Sequence, residues 1–170
     1  EADGYIERGL VFVDGERVTQ LGTRAAPEAV VTLAGDARAE QARQVTVLLH
    51  KPVGYVSGQA EDGHPPAVTL IASASQYADG KTPRFRREHL KGLAPAGRLD
   101  IDSTGLLVLT QDGRVARQLI GEDSEMEKEY LVRVTCTTPD GEVTSNVQAV
   151  FPAERLALLR HGMSLDGEPL

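Results

Sequence analysis

GRLDIDSTGLLVLTQDG, residues 97–113, sets Arg98 and two carboxylates, Asp100 and Asp102, directly ahead of an apolar run bounded by Gly105 and Gly113. The run GLLVLT at 105–110 has the length of a strand and is too short for a helix, so it reads as a buried β-strand. Asp112 then stands where a helix N-cap belongs, ahead of RVARQLI, and Gly121 closes that helix. From the residues alone, the segment before the strand is either a solvated loop or a carboxylate held on rigid backbone. Gly97 and Gly105 permit tight turns on either side of Asp100.

Working outward, VTVLLHKPVGYVSG at 45–58 reads as a second buried strand, punctuated at its end by Pro52, Gly54 and Gly58. Residues 59–93 hold Gly63, the Pro65-Pro66 pair and one short helix candidate, AVTLIAS, in otherwise irregular surface. After the acidic stretch GEDSEMEKE comes YLVRVTC, 130–136, as a third strand. Toward the N-terminus, Ala2, Ile6 and Leu10 share a helical face. Val11 and Val13, the turn Asp14-Gly15 and Val18 spell a β-hairpin, and AVVTL at 29–33 is extended. The polar, Ala-rich residues 34–44 fit a linker. The chain closes on LDGEPL, where neither a strand nor a helix is expected.

Composition limits the function classes. At 170 residues and 41% hydrophobic content the chain can build one ordinary domain plus a small appendage. The lone Cys136 cannot form an internal bridge, and no Cys/His spacing suits zinc, which points to a reducing, cytoplasmic setting. No apolar run approaches the roughly 20 residues that cross a bilayer. The formal net charge of −7 argues against coating nucleic acid by bulk charge. Between Lys81 and Arg98, however, six basic residues (Lys81, Arg84, Arg86, Arg87, Lys91, Arg98) face a single acid, Glu88. On charge alone this block is a solvated loop or a polyanion contact.

The order and spacing of these motifs resemble the RsuA type of ribosomal RNA pseudouridine synthases. The family pattern Gly-Arg-Leu-Asp, Thr, Gly-Leu, strand and polar turn is matched by Gly97, Arg98, Leu99, Asp100, Thr104, Gly105, Leu106 and 110–113, with Gln111 at a position commonly Asn. Lys51, Pro52 and Gly54 match the family's Lys-Pro-x-Gly, and EKEYLVRV matches the segment that supplies an active-site tyrosine, here Tyr130. Residues 1–33 resemble an alpha-L RNA-binding domain without its first helix. EMEKEYLV is closer to members acting on large-subunit ribosomal RNA, the RluF-like branch. The family continues past LDGEP with a further basic motif, before which this sequence stops.

The resemblance implies an α+β catalytic domain over 45–170, with a mixed, mainly antiparallel sheet covered by helices on its outer face and joined through 34–44 to the small N-terminal domain. It implies isomerisation of uridine to pseudouridine in ribosomal RNA, with a tRNA as a further candidate substrate, by a monomer that needs neither cofactor nor metal. Asp100 is then the essential carboxylate, buried and kept ionised by a cation such as Arg98. Tyr130 stacks on the target uracil. Arg98, Lys51, Arg84, Arg86, Arg87, Arg8 and Arg17, together with Arg24, are the RNA contacts. Gly97, Leu99, Thr104, Gly105 and Leu106 shape the site.

Two rivals stand beside this reading. Asp100 and Asp102 as a glycosidase pair or as metal ligands is one, although an i, i+2 pair alone is weak and the chain has no sugar-stacking Trp. An RNA-binding module that keeps the fold without turnover is the other.

Overall fold

The computed structural model describes residues 2–77, 79–165 and 167–169. The chain divides into two compact units, Glu1–Met126 and Glu127–Leu170. The secondary structure mixes helices with small sheets whose named strand pairings are all antiparallel, an α+β fold as expected.

The first unit opens with α1 (Ala2–Glu7), followed by β1 (Val11–Val13) and β2 (Glu16–Val18). Asp14 and Gly15 take φ of 50° and 87° between the two strands, the pair of left-handed residues that a two-residue hairpin turn requires. β3 (Val31–Leu33) pairs on the other side of β1. The Asp14 carboxylate anchors it by accepting from the Val30 N–H at 2.8 Å.

Residues expected as a linker instead fold into α2 (Gly35–Ala42). Alanine is a strong helix former, and the fully buried Ala37 seats this one on the N-terminal part of the unit. The Ala34 N–H bonds the Leu10 carbonyl, and Arg8 reaches Glu40 at 2.7 Å.

β4 (Thr46–Lys51), β5 (Ala94–Pro95) and β6 (Gly105–Thr110) form the sheet that positions the motif, in the order β4-β6-β5. The β4–β6 register runs from Thr46 opposite Thr110 to Lys51 opposite Gly105. Because side chains alternate along a strand, Leu49, Lys51, Leu107 and Leu109 share the inner face. Ala67, Leu107 and Leu109 form its buried cluster, against which Leu49, Tyr55, Val68, Ile71, Leu93 and Leu99 pack.

The layer over that face is loop and 3-10 turn (Ala67–Leu70 and Ser73–Ser75) in the place of the single short helix expected. Both strands were expected to be buried, yet their other face is open at Leu48, 69% exposed, and Leu106, 66% exposed, and closes again at the buried Thr110. α3 (Gly113–Ile120) follows β6, with the Asp112 carboxylate accepting from the Arg114 N–H as the N-cap.

The second unit holds the hairpin β7 (Cys136–Thr138) and β8 (Gly141–Val143), then α4 (Ala153–His161). The strand expected at 130–136 begins only at Cys136. Tyr130 to Thr135 have no ladder partner among the described residues, and Leu131 is 93% exposed. Apolar and β-branched content suits a pleated surface but supplies no neighbouring strand. The closing phrase does form structure, a two-residue pairing of β9 (Ser164–Leu165) with β10 (Glu168–Pro169), while Asp166 and Leu170 lie outside the described residues.

Candidate active site

The segment from Gly97 to Thr104 crosses one end of the β4–β6 ladder and is fixed by its own backbone. Gly97 and Gly105 take φ of +113° and +153°, conformations that a residue with a Cβ adopts only under strain, so the two glycines mark the turns that the motif makes. Between them Leu99 turns inward onto the cluster of Ala67, Leu107 and Leu109. The residues on either side of it, Arg98 and Asp100, are exposed. One inward leucine thus fixes the outward direction of its charged neighbours.

Ser57 locks that arrangement. Its hydroxyl, 5% exposed, donates to the Leu99 carbonyl at 2.7 Å and accepts from the Leu99 N–H at 2.8 Å. Both backbone groups of the residue before Asp100 are therefore satisfied by one buried side chain, at a place where an unpaired group is costly. The Ser103 N–H bonds the Asp100 carbonyl at 3.0 Å, closing a turn. The Thr104 hydroxyl donates to the Lys51 carbonyl at 2.9 Å and ties the end of the loop to β4. Ser57 lies within the quoted stretch 45–58 but was not singled out there, since only the fold reveals its partner 42 residues away.

Lys51 corrects an expectation. Proposed as an RNA contact, it is fully buried, and its ammonium donates to the carbonyls of Pro52 at 3.0 Å, Tyr55 at 2.9 Å and Ile101 at 3.5 Å. Its position on the inner face of β4 sends the side chain under the loop and away from solvent. The Gly54 N–H also bonds the Ile101 carbonyl, at 2.8 Å. The Lys-Pro-x-Gly segment and the residue after Asp100 are thus joined twice.

Asp100 departs from expectation as well. It was expected to be buried, with Arg98 as one candidate cation beside it, yet Asp100 is exposed; Arg98 is exposed too, and no ion pair joins them among the described residues. Asp102 is also exposed. In the second unit, Tyr130 is 62% exposed, in the segment without regular structure that precedes β7.

The basic residues separate into two groups. Arg17 stacks on the Phe12 ring at 5.5 Å, and Arg24 is exposed. Arg8 stacks on Tyr5 at 5.6 Å while pairing with Glu40, and this pairing lowers the Glu40 carboxyl below its ordinary pKa and raises the Arg8 guanidinium. Arg8, Arg84 and Arg86 line one groove of about 1160 Å³, which also takes in Arg43, Lys91 and His89. Arg87 is exposed outside it.

Lys91 belongs to the basic block read from the sequence, but Arg43 was not singled out there, nor was the part played by Gln111. The Gln111 carboxamide donates to the carbonyls of Lys91 at 2.9 Å and His89 at 3.1 Å, and its oxygen accepts from the Val45 N–H at 2.8 Å. It fastens the basic loop to the sheet.

A carboxylate presented on braced backbone, on a chain that also carries a cationic groove, suits chemistry on an anionic polymer. Comparison with known proteins agrees with the motifs. Residues 45–164 match the family model described as RNA pseudouridylate synthase. The chain belongs to that family. It is 37% identical over 136 residues to the dual-specificity RNA pseudouridine synthase RluF of Escherichia coli O6:H1, covering 79% of this chain and 41% of that protein. It is 35% identical over 141 residues to an uncharacterized RNA pseudouridine synthase of Mycobacterium tuberculosis H37Rv, covering 82% of this chain and 51% of the relative. The chain thus spans about half or less of the length of these relatives. A solved pseudouridylate synthase superposes with a TM-score of 0.32 at 23% identity, over 69% of this chain and 44% of its own, too loose a match to bear on the architecture.

Proposed function

We propose that the chain carries the carboxylate-bearing part of an enzyme that isomerises uridine to pseudouridine in ribosomal RNA of the large subunit, acting as a cytoplasmic monomer. The observation that supports this most directly is the outward placement of Asp100 on a loop braced by buried Ser57 and Lys51. Isomerisation breaks the bond from ribose carbon 1′ to uracil nitrogen 1, turns the base and joins carbon 1′ to carbon 5, whose proton is released. An ionised carboxylate can begin this by attacking carbon 1′, by adding to carbon 6 or by taking the proton at carbon 2′.

A uridine inside folded RNA must first be flipped out, at a cost of a few kcal/mol. Contacts between cations and phosphates offset that cost, with affinity falling as salt rises. In this reading Tyr130 stacks on the extruded uracil, residues 1–33 serve as the RNA-binding module, and residues from 45 onward carry the chemistry. The dual specificity in the name of the Escherichia coli relatives is the reason to assay a tRNA beside ribosomal RNA.

Tritium release from RNA labelled at uracil carbon 5 tests the proposal, with both the 170-residue chain and its parent, the protein as its gene encodes it. Release by the parent and its loss in Asp100→Asn, with RNA affinity retained, is the expected result. An active Asp100→Asn enzyme would overturn the assignment. Tyr130→Phe separates stacking from proton transfer, since it keeps the ring and removes the hydroxyl.

A second reading, RNA binding without turnover by these 170 residues, is favoured by the absence of a cation paired with Asp100 among the described residues. Binding by the chain together with tritium release by the parent alone would select it.

A further inference from the structure

The groove that collects Arg8, Arg43, Arg84, Arg86 and Lys91 lies far from Asp100 along the sheet. It is lined at Val45 and Gln111, one end of the β4–β6 ladder, whereas the Asp100 loop crosses the other end, at Lys51 and Gly105. Six residue steps from Val45 to Lys51, at a rise of roughly 3.3 Å each, separate the two by about 20 Å.

Five cations face two carboxylates in the groove, Glu40 and Glu88. Arg8 and Arg86 are engaged with those acids at 2.7 and 3.2 Å. Arg43, Arg84 and Lys91 are exposed and make no ion pair among the described residues. On a chain of net charge −7 this is a localised cationic surface between α1, α2 and the 83–92 loop.

We propose that this groove is a second RNA site, which holds the sugar–phosphate backbone of a helical flank of the substrate about 20 Å from the uridine presented to Asp100. The inference rests on the RNA reading above and adds where the polymer must run. With the B-DNA rise of roughly 3.4 Å per base pair as an upper bound on the shorter rise of A-form RNA, 20 Å corresponds to at least about six base pairs. A substrate trimmed closer than that to its target uridine cannot reach the groove. Arg43, Arg84 and Lys91 offer up to three phosphate contacts that carry no sequence information and fix position.

Fluorescence anisotropy with the 170-residue chain tests this, using labelled RNA hairpins whose stems extend 12 or 4 base pairs from the target uridine, at 50–200 mM salt. The triple variant R43Q/R84Q/K91Q is expected to bind the long stem at least tenfold more weakly. Its slope of log affinity against log salt should be shallower by roughly two to three, and its binding of the short stem should be little changed. The charge-conserving R43K/R84K pair should retain long-stem affinity, which separates a lost charge from a damaged fold.

An unchanged long-stem affinity in the triple variant, or equal losses for the two stems, would overturn the proposal. So would an acidic peptide of matched charge that binds as tightly and is lost in the same variant, since the groove would then serve a protein. Each of these leaves the tritium-release result standing. Failure of the unaltered chain to bind either RNA would remove the second site, and absence of release from the parent as well would remove the function on which it rests.

Discussion

Ser57 and Leu99, 42 residues apart in sequence, are joined by two hydrogen bonds to a single hydroxyl, 2.7 Å to the carbonyl and 2.8 Å from the N–H. In Ser57→Ala both backbone groups lose their partner in a buried place, which should cost roughly 1–3 kcal/mol in chemical denaturation. The Leu99 amide should exchange with solvent faster than in the unaltered chain. Unchanged Leu99 exchange would show that Ser57 does not hold the loop.

Lys51 leads to a sharper test, because its buried ammonium donates to three carbonyls and forms no ion pair among the described residues. Lys51→Met keeps most of the stem and leaves the Tyr55 and Ile101 carbonyls without this donor. We expect destabilisation of about 1–3 kcal/mol. RNA affinity should hold to within about twofold under conditions where the variant is folded, whereas a lysine on a phosphate would also lower the salt slope by roughly one. Anisotropy titrations at two salt concentrations decide between the two.

Gln111 spans from the sheet to the basic loop, and its length makes that possible. Gln111→Asn removes one methylene, about 1.5 Å of reach given ordinary carbon–carbon geometry. An amide that still meets Val45 then no longer reaches the carbonyls of His89 and Lys91. Hydrogen exchange should quicken in residues 88–92 and stay slow at Leu107 and Leu109 in the ladder. Uniform quickening would mean that Gln111 supports the sheet and not the loop.

Asp79 gives a pH signature. Its carboxylate accepts from the Thr82 hydroxyl and from the Thr82 and Lys81 N–H groups, and these bonds, led by the Thr82 hydroxyl, hold its pKa at about 2. With the folded value below the unfolded one, the turn stabilises the protein fully above pH ~4 and loses that contribution as pH falls toward 2. Carboxyl chemical shifts followed by NMR should show Asp79 titrating near 2 and moving upward in Thr82→Val.

Much of the fold follows from short-range chemistry. The Asp14-Gly15 turn, the Asp112 cap and the two strands that meet as β4 and β6 depend on neighbours within a few residues, and each forms where those neighbours place it. Residues 34–44 were less legible, because α2 is stabilised by burial of Ala37, a contact made only after the chain has folded back. The same limit applies at 130–135, where a suitable composition has no partner strand. In the candidate site, alternation about Leu99 accounts for the outward charges. The burial of Lys51 depends on the Ile101 carbonyl, 50 residues downstream, and no local pattern announces it.

β6 starts beside the Asp100 loop and ends one residue before Gln111, so the aspartate and the wall of the basic groove hang from one strand. A strand cannot lengthen without breaking its ladder, which makes the interval between them a fixed gauge. RNA seated at both ends is then measured instead of read. Inserting one base pair between the anchored flank and the target uridine turns the target by roughly a tenth of a revolution about the helix axis, out of phase with Asp100 although every base remains the same. Discrimination among uridines can arise in this way from spacing and angle, without a contact to any base other than the one that is turned over.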